Sequence, residues 1–158
     1  MKPRALYTLL LLVLFSFACD SVTDPEEEEG GSSGGSGGGG GSYTNRYVTL
    51  LDATIHVNNT FTSGPVGGAE VVIDRGSSFC ESGYTNSSGI AEIYEDISVK
   101  IETGVTGLGM DIIVSAPGFN TVTIEDYIVY LTLIESGDGW AHYALSFSHT
   151  VNLTPEAD

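Results

Sequence analysis

Any chemistry in this chain would have to come from a small set of groups. Histidine occurs three times, at His56, His142 and His149, and cysteine twice, at Cys19 and Cys80. No histidine stands in the His-Glu-x-x-His or His-x-x-Glu spacing that places zinc ligands on one helix face. A metal site would need the three histidines to converge from distant positions, and His149 falls on the apolar parity of a strand, where a core or edge histidine is the ordinary state. Cys80 would need a histidine partner to act as a nucleophile and is expected as a buried structural thiol. No Gly-x-Ser-x-Gly elbow and no phosphate loop occurs. Calcium is the one metal left open, since Glu95-Asp96, Glu125-Asp126 and Asp138 supply carboxylates at strand ends or turns, though without an Asp-x-Asp-x-Asp-Gly loop. Tyr127, Tyr130, Trp140 and Tyr143 lie close in sequence and would stack on a sugar if exposed. Packed inward, they would only fill the core.

The elements that would position these groups are strands. Tyr47 to Val57 alternates, with Thr49, Leu51, Ala53, Ile55 and Val57 on one side. Glu70 to Asp74, Phe79 to Thr85 and Ile90 to Tyr94 form the next three, separated by Gly- and Ser-rich turns. Val99 to Thr103 and Met110 to Ala116 flank a turn over 104–109. Thr121 to Glu125 alternates, and Tyr127 to Ile134 is apolar on both parities, so it is either covered on both faces or meets a partner. Ser136-Gly137-Asp138-Gly139 reads as a hairpin turn into a last strand, Trp140 to Leu153. That strand has Tyr143, Leu145, Phe147, Val151 and Leu153 inward by parity. Beyond the N-terminal leader, no stretch carries a sustained helical period.

Four stretches carry a family resemblance. Pro65-Val66-Gly67-Gly68-Ala69-Glu70-Val71 enters a strand, and Thr85-Asn86-Ser87-Ser88-Gly89 turns before another. Ala116-Pro117-Gly118-Phe119 forms a corner after an apolar strand, and Val151-Asn152-Leu153-Thr154-Pro155 closes the chain. The region from Tyr47 to Pro155 resembles the carboxypeptidase regulatory-like family. The resemblance implies a single transthyretin-like or Ig-like antiparallel β-sandwich of about seven strands over residues 43–158. It also implies a module of the kind attached to carboxypeptidases rather than their catalytic part.

The N-terminus reads as an address. Met1-Lys2-Pro3-Arg4 is basic, and Ala5 to Ala18 is an apolar run too short for a membrane span, which suits a secretory leader over residues 1–18. Ala18-Cys19 resembles the lipobox of bacterial lipoproteins, which implies lipidation of Cys19 and anchoring of the mature chain. Ser16 and Phe17 depart from the usual lipobox residues. Residues 19–42 then form an acidic and Gly/Ser-rich tether, expected to be disordered. Its thirteen Gly and Ser residues (30–42) would span roughly 20 Å.

The 158-residue chain has 5 Lys and Arg against 21 Asp and Glu. Two of the basic residues lie in the leader, so the mature balance is 3 − 21 = −18. Such a surface repels nucleic acid. The expectation is therefore an outer-membrane or cell-surface lipoprotein that is no enzyme and needs no cofactor: a non-catalytic binding or adhesion module for a protein or glycan. The alternative is a structural subunit of a bacterial envelope assembly.

Overall fold

The computed structural model describes residues 43–157; the leader, the tether and Cys19 lie outside the described residues. Seven strands follow in order: β1 (Asn45–Asn59), β2 (Glu70–Asp74), β3 (Cys80–Tyr84), β4 (Ile90–Lys100), β5 (Gly107–Ser115), β6 (Val122–Gly137) and β7 (Trp140–Leu153). They hydrogen-bond in the order β3-β2-β5-β6-β7-β1-β4.

One long strand joins the two halves of this order. The first part of β6 pairs with β5, from Val122 opposite Val114 to Tyr130 opposite Gly107. Its second part pairs with β7, from Leu131 opposite Leu145 to Gly137 opposite Trp140. A strand that changes partners along its length turns a corner between the two halves. The sheet then curls until its end strands meet without a ladder: a Cβ on Gly83 of β3 would stand 3.1 Å from Ile93 of β4.

The all-β class and the seven strands are as the sequence implied. Two features correct the expected antiparallel sandwich. β1 runs parallel to β7 from Asn45 opposite Trp140 to Asn59 opposite Leu153, and the hydrogen-bonded order is continuous and nearly closed, like a barrel. A parallel pair cannot be joined by a tight turn. Here most of the chain lies between the two partners.

Bulges explain where strand parity departs from simple alternation. In β1, Val48 faces Tyr143 and Leu50 faces Ala144, so Thr49 is an extra residue. Val48 therefore takes the inward place expected of Thr49, and Leu51, Ala53, Ile55 and Val57 follow it inside. In β6, Tyr127 faces Met110 and Ile124 faces Ile112, so Glu125 and Asp126 together oppose Asp111. Asp126 has φ 51°, and its N–H donates to Asp111 Oδ1 at 2.9 Å. The break expected at this point is thus a bulge within one strand. Likewise, the two strand candidates on either side of Glu95-Asp96 are the single strand β4.

The core sits between the two halves. Leu51 and Ile55 of β1, Ile73 of β2, Ile112 of β5, and Leu145 and Leu153 of β7 are among its largest fully buried side chains. Each contributes roughly 1.5–3 kcal/mol relative to exposure.

Three glycine corners close the fold. Gly68 (φ 74°) follows Pro65, which bridges to Asn58. Directly after β3, hydrogen-bonded to Gly68 and Ala69, lies the one buried polar residue among the described positions, Thr85. Its hydroxyl donates to Val66 O at 2.7 Å and accepts from Ala69 N at 2.8 Å. At the next turn, Asn86 Oδ1 accepts from Ser88 N and Ile90 N, and Gly89 (φ 71°) lies against Val57 O. At the third, Gly118 (φ 78°) turns Phe119 onto the core, and its carbonyl accepts from Glu156 N.

Candidate functional site

The three histidines are held apart by the register of β1 and β7. His142 lies opposite Tyr47 near the start of both strands, whereas His56 and His149 lie near their far ends. Seven residues along β7 separate His142 from His149, roughly 20 Å at the usual strand rise. His149 faces inward and meets Tyr127 edge-on, with ring centroids 4.8 Å apart. Among the described residues, no group of three or more His, Cys, Asp or Glu side chains gathers to hold a metal ion. The acidic candidates are likewise spread over separate elements: Glu95-Asp96 within β4, Glu125-Asp126 at the β6 bulge and Asp138 in the β6–β7 turn.

Cys80 opens β3 half-buried and is disulfide-bonded. That corrects the expectation of a buried structural thiol.

The four aromatic candidates do not share a face. Tyr127 points inward, packing on Phe147 at 5.5 Å between ring centroids as well as on His149. Tyr143 also points inward. Arg46 lies 4.9 Å over its ring and donates from Nε to the phenol oxygen at 3.3 Å. The same guanidinium donates to Glu102 O and Val105 O, so this pair fastens the β4–β5 loop. Trp140 is half-buried against His142 (4.9 Å) and lies over Gly137, where any side chain would collide with the indole. Only Tyr130 stands out, 73% exposed.

Two local arrangements survive as sites. The first is on the β6–β7 hairpin. Glu135 and His142 are paired in register, and Glu135 Oε1 lies 2.9 Å from His142 Nδ1. A carboxylate on Nδ1 fixes the imidazole tautomer and leaves Nε2 as the outward acceptor. Tyr47 meets the ring edge-on at 6.4 Å. No hydroxyl or thiol is hydrogen-bonded to His142 among the described residues, so the dyad can orient and exchange a proton but has no nucleophile beside it.

The second is the outer face of β6. Ile128, Tyr130 and Ile134 are exposed by between 49% and 73%. Ile128 and Tyr130 lie opposite Gly109 and Gly107 of β5, and Gly107 has no Cβ because Ile128 and Tyr130 occupy the space. Ile134, the extra residue of the bulge between Leu133 and Glu135, has no such glycine to cover, and Leu133 shares the inward face of its partner Tyr143. The charged side chains nearby along β6 and its turn are Glu125, Asp126, Glu135 and Asp138, all acidic. Of the two outcomes foreseen for a doubly apolar strand, the structure therefore leaves one face uncovered.

No family model and no curated protein matches the sequence. Among solved structures, the chain is similar to 3-chlorocatechol 1,2-dioxygenase from Rhodococcus opacus 1CP. Identity is 9%, the TM-score is 0.44, and the match covers 69% of this chain and 61% of that enzyme. It is also similar to the dioxygenase domain of a dioxygenase carbohydrate-binding protein fusion from the cellulolytic bacterium Streptomyces sp. SirexAA-E. There identity is 15%, the TM-score is 0.41, and the match covers 81% of this chain and 97% of that one. Likenesses of this order carry no activity over to this chain. They do correct three expectations: that it is a non-catalytic module, that it is no enzyme and that it needs no cofactor. Both similar solved structures are named as dioxygenases.

Proposed function

We propose that the chain is a protein of the bacterial outer membrane or cell surface whose β-domain meets a protein partner through the outer face of β6. The observation that carries this reading is the exposure of Ile128, Tyr130 and Ile134 along one face of a strand whose other face packs the core. Apolar side chains clustered at a surface gain by being covered. The acidic groups around them favour a partner with a basic rim. A second copy of this chain would bring like charges together and is disfavoured at low salt. The carboxypeptidase regulatory-like resemblance belongs to the same proposal. It is supported by Gly68, Gly89 and Gly118, motif glycines that all stand at turns with positive φ.

A photoreactive residue at position 134, compared with one at the exposed Thr150 of β7, tests the face in native envelopes. Adducts to one discrete protein from position 134 alone, weakened by salt and by Tyr130→Ser, are expected. Equal labelling from both positions, or none, would reject the face. Palmitate labelling of wild type and Cys19→Ala tests the lipid expected at Cys19, which the disulfide on Cys80 argues against, Cys19 being the one other cysteine of the chain. A Cys19 thiol carries either a lipid thioether or a disulfide, never both. Mature chain that stays unlabelled agrees with the disulfide, and label that Cys19→Ala abolishes would restore the anchor.

A further inference from the structure

At the end of the domain opposite the β6–β7 turn, the chain leaves β1 through residues 60–64 in a tightly fastened loop. Asn59 Oδ1 accepts from Phe61 N at 2.8 Å and from Thr62 N at 3.3 Å. Asn59 O accepts from Ser63 N and Asn59 N donates to Gly64 O, while Thr60 N donates to Leu153 O of β7. Ser63 is held at φ 55°, a conformation most side chains avoid. A loop with this many internal bonds is pre-shaped, so a ligand that uses it pays little ordering entropy.

Beside the loop lies an open concavity of about 400 Å³ lined by Asn58, Asn59, Thr60, Ser63 and Asn152. Every lining side chain is polar, and none is charged. Asn58 and Asn152 are register partners on β1 and β7, and their amide groups make no hydrogen bond within the domain. Phe61, on the same loop, is 77% exposed, the most exposed large apolar side chain described. A single exposed apolar residue is unremarkable. The same end of the domain thus carries an exposed ring on the fastened loop as well as the amides and hydroxyls that line the concavity.

We infer that this end of the domain is a binding shelf for a neutral saccharide. Amides and hydroxyls supply both donors and acceptors for vicinal hydroxyl groups, and the Phe61 ring offers a flat apolar face for the C–H side of a pyranose. The absence of charge in the lining selects against ionic ligands. The described domain also carries an excess of acidic over basic residues, which repels acidic polysaccharides. The shelf shares no residue with the β6 face, so either stands or falls without the other.

Titration calorimetry of the full mature chain with cellohexaose, laminarihexaose, xylohexaose and mannohexaose tests the inference, with polygalacturonate as the anionic control. At least one neutral oligosaccharide is expected to bind with a Kd of roughly 0.1–1 mM. Phe61→Ala should weaken it about tenfold, as expected for one lost ring contact. Asn152→Ala should weaken it as well, and both variants should keep the wild-type thermal midpoint. Binding by none of the four sugars, binding that Phe61→Ala leaves unchanged, or tighter binding of polygalacturonate would each overturn it.

Discussion

Glu81 of β3 and Glu95 of β4 face each other across the seam where the curled sheet brings its two end strands together. Glu81 pairs with Ile73 and so has core-facing parity. Glu95 lies between Ile93 and Ile97 on the core-facing parity of β4, yet it is exposed. Burial, and after it the Glu95 charge, raise the Glu81 carboxyl above its ordinary value of 4.5. The folded chain therefore holds this proton more tightly than the unfolded chain. Its stability from this position is full in acid and declines as pH rises from the ordinary carboxylate value through the raised one. Glu81→Gln is expected to raise the urea midpoint near neutral pH. The gain should shrink towards zero at about pH 3.5, where both states carry the proton. A gain that is equal at both pH values would show that the charge is not its source.

Thr85 holds the entry to β2 by two hydrogen bonds in a dry setting. Thr85→Val keeps the shape but strands the Ala69 N–H and the Val66 carbonyl. It is expected to cost roughly 1–3 kcal/mol in chemical denaturation. Thr85→Ser keeps the hydroxyl and should recover most of that loss.

Gly89 and Gly118 share a left-handed backbone but not a neighbourhood. A Cβ on Gly89 would stand 2.6 Å from Val57 O and 2.9 Å from Pro65 Cβ, whereas on Gly118 it would meet nothing within 4 Å. Gly118→Ala should cost only the backbone term, about 1–2 kcal/mol. Gly89→Ala adds a collision with backbone that cannot retreat without opening the β1 end. It should cost more than about 3 kcal/mol in the same assay.

Ile134 has no intramolecular work visible in its surroundings. Ile134→Ser is expected to change folding stability by less than about 0.5 kcal/mol while abolishing the partner contact proposed for β6. A large loss of stability, read from thermal unfolding, would instead make Ile134 part of the fold.

Much of this was readable before any coordinates, and the misses have definite causes. β2 and β7 begin and end where alternation and turn residues put them, since Gly and Asp-Gly signals bracket both. The parallel partnership of β1 and β7 was not readable, because period-two alternation says which face a residue takes but not which strand lies beside it. The β6 bulge was misread as a gap because Glu125-Asp126 breaks the apolar run without breaking the ladder. The Glu135–His142 pair was within reach: a turn at Asp138-Gly139 sets 137 opposite 140 and, two residues further in unbroken register, 135 opposite 142. Phe61 carries no signal in the sequence beyond being an isolated aromatic in a polar loop between β1 and β2. Tyr127 and Tyr143 looked interchangeable with Tyr130 until the strand parities separated them.

The parallel run of β1 beside β7 has a mechanical consequence. The chain enters the domain at Tyr43, beside the β6–β7 turn, while the Phe61 loop and the end of β7 lie at the other extremity. Tension between the entry point and a load gripped at that far end would act along the strands. Every rung between Asn45 and Asn59 would then share the force at once, instead of parting one after another as in a zipper.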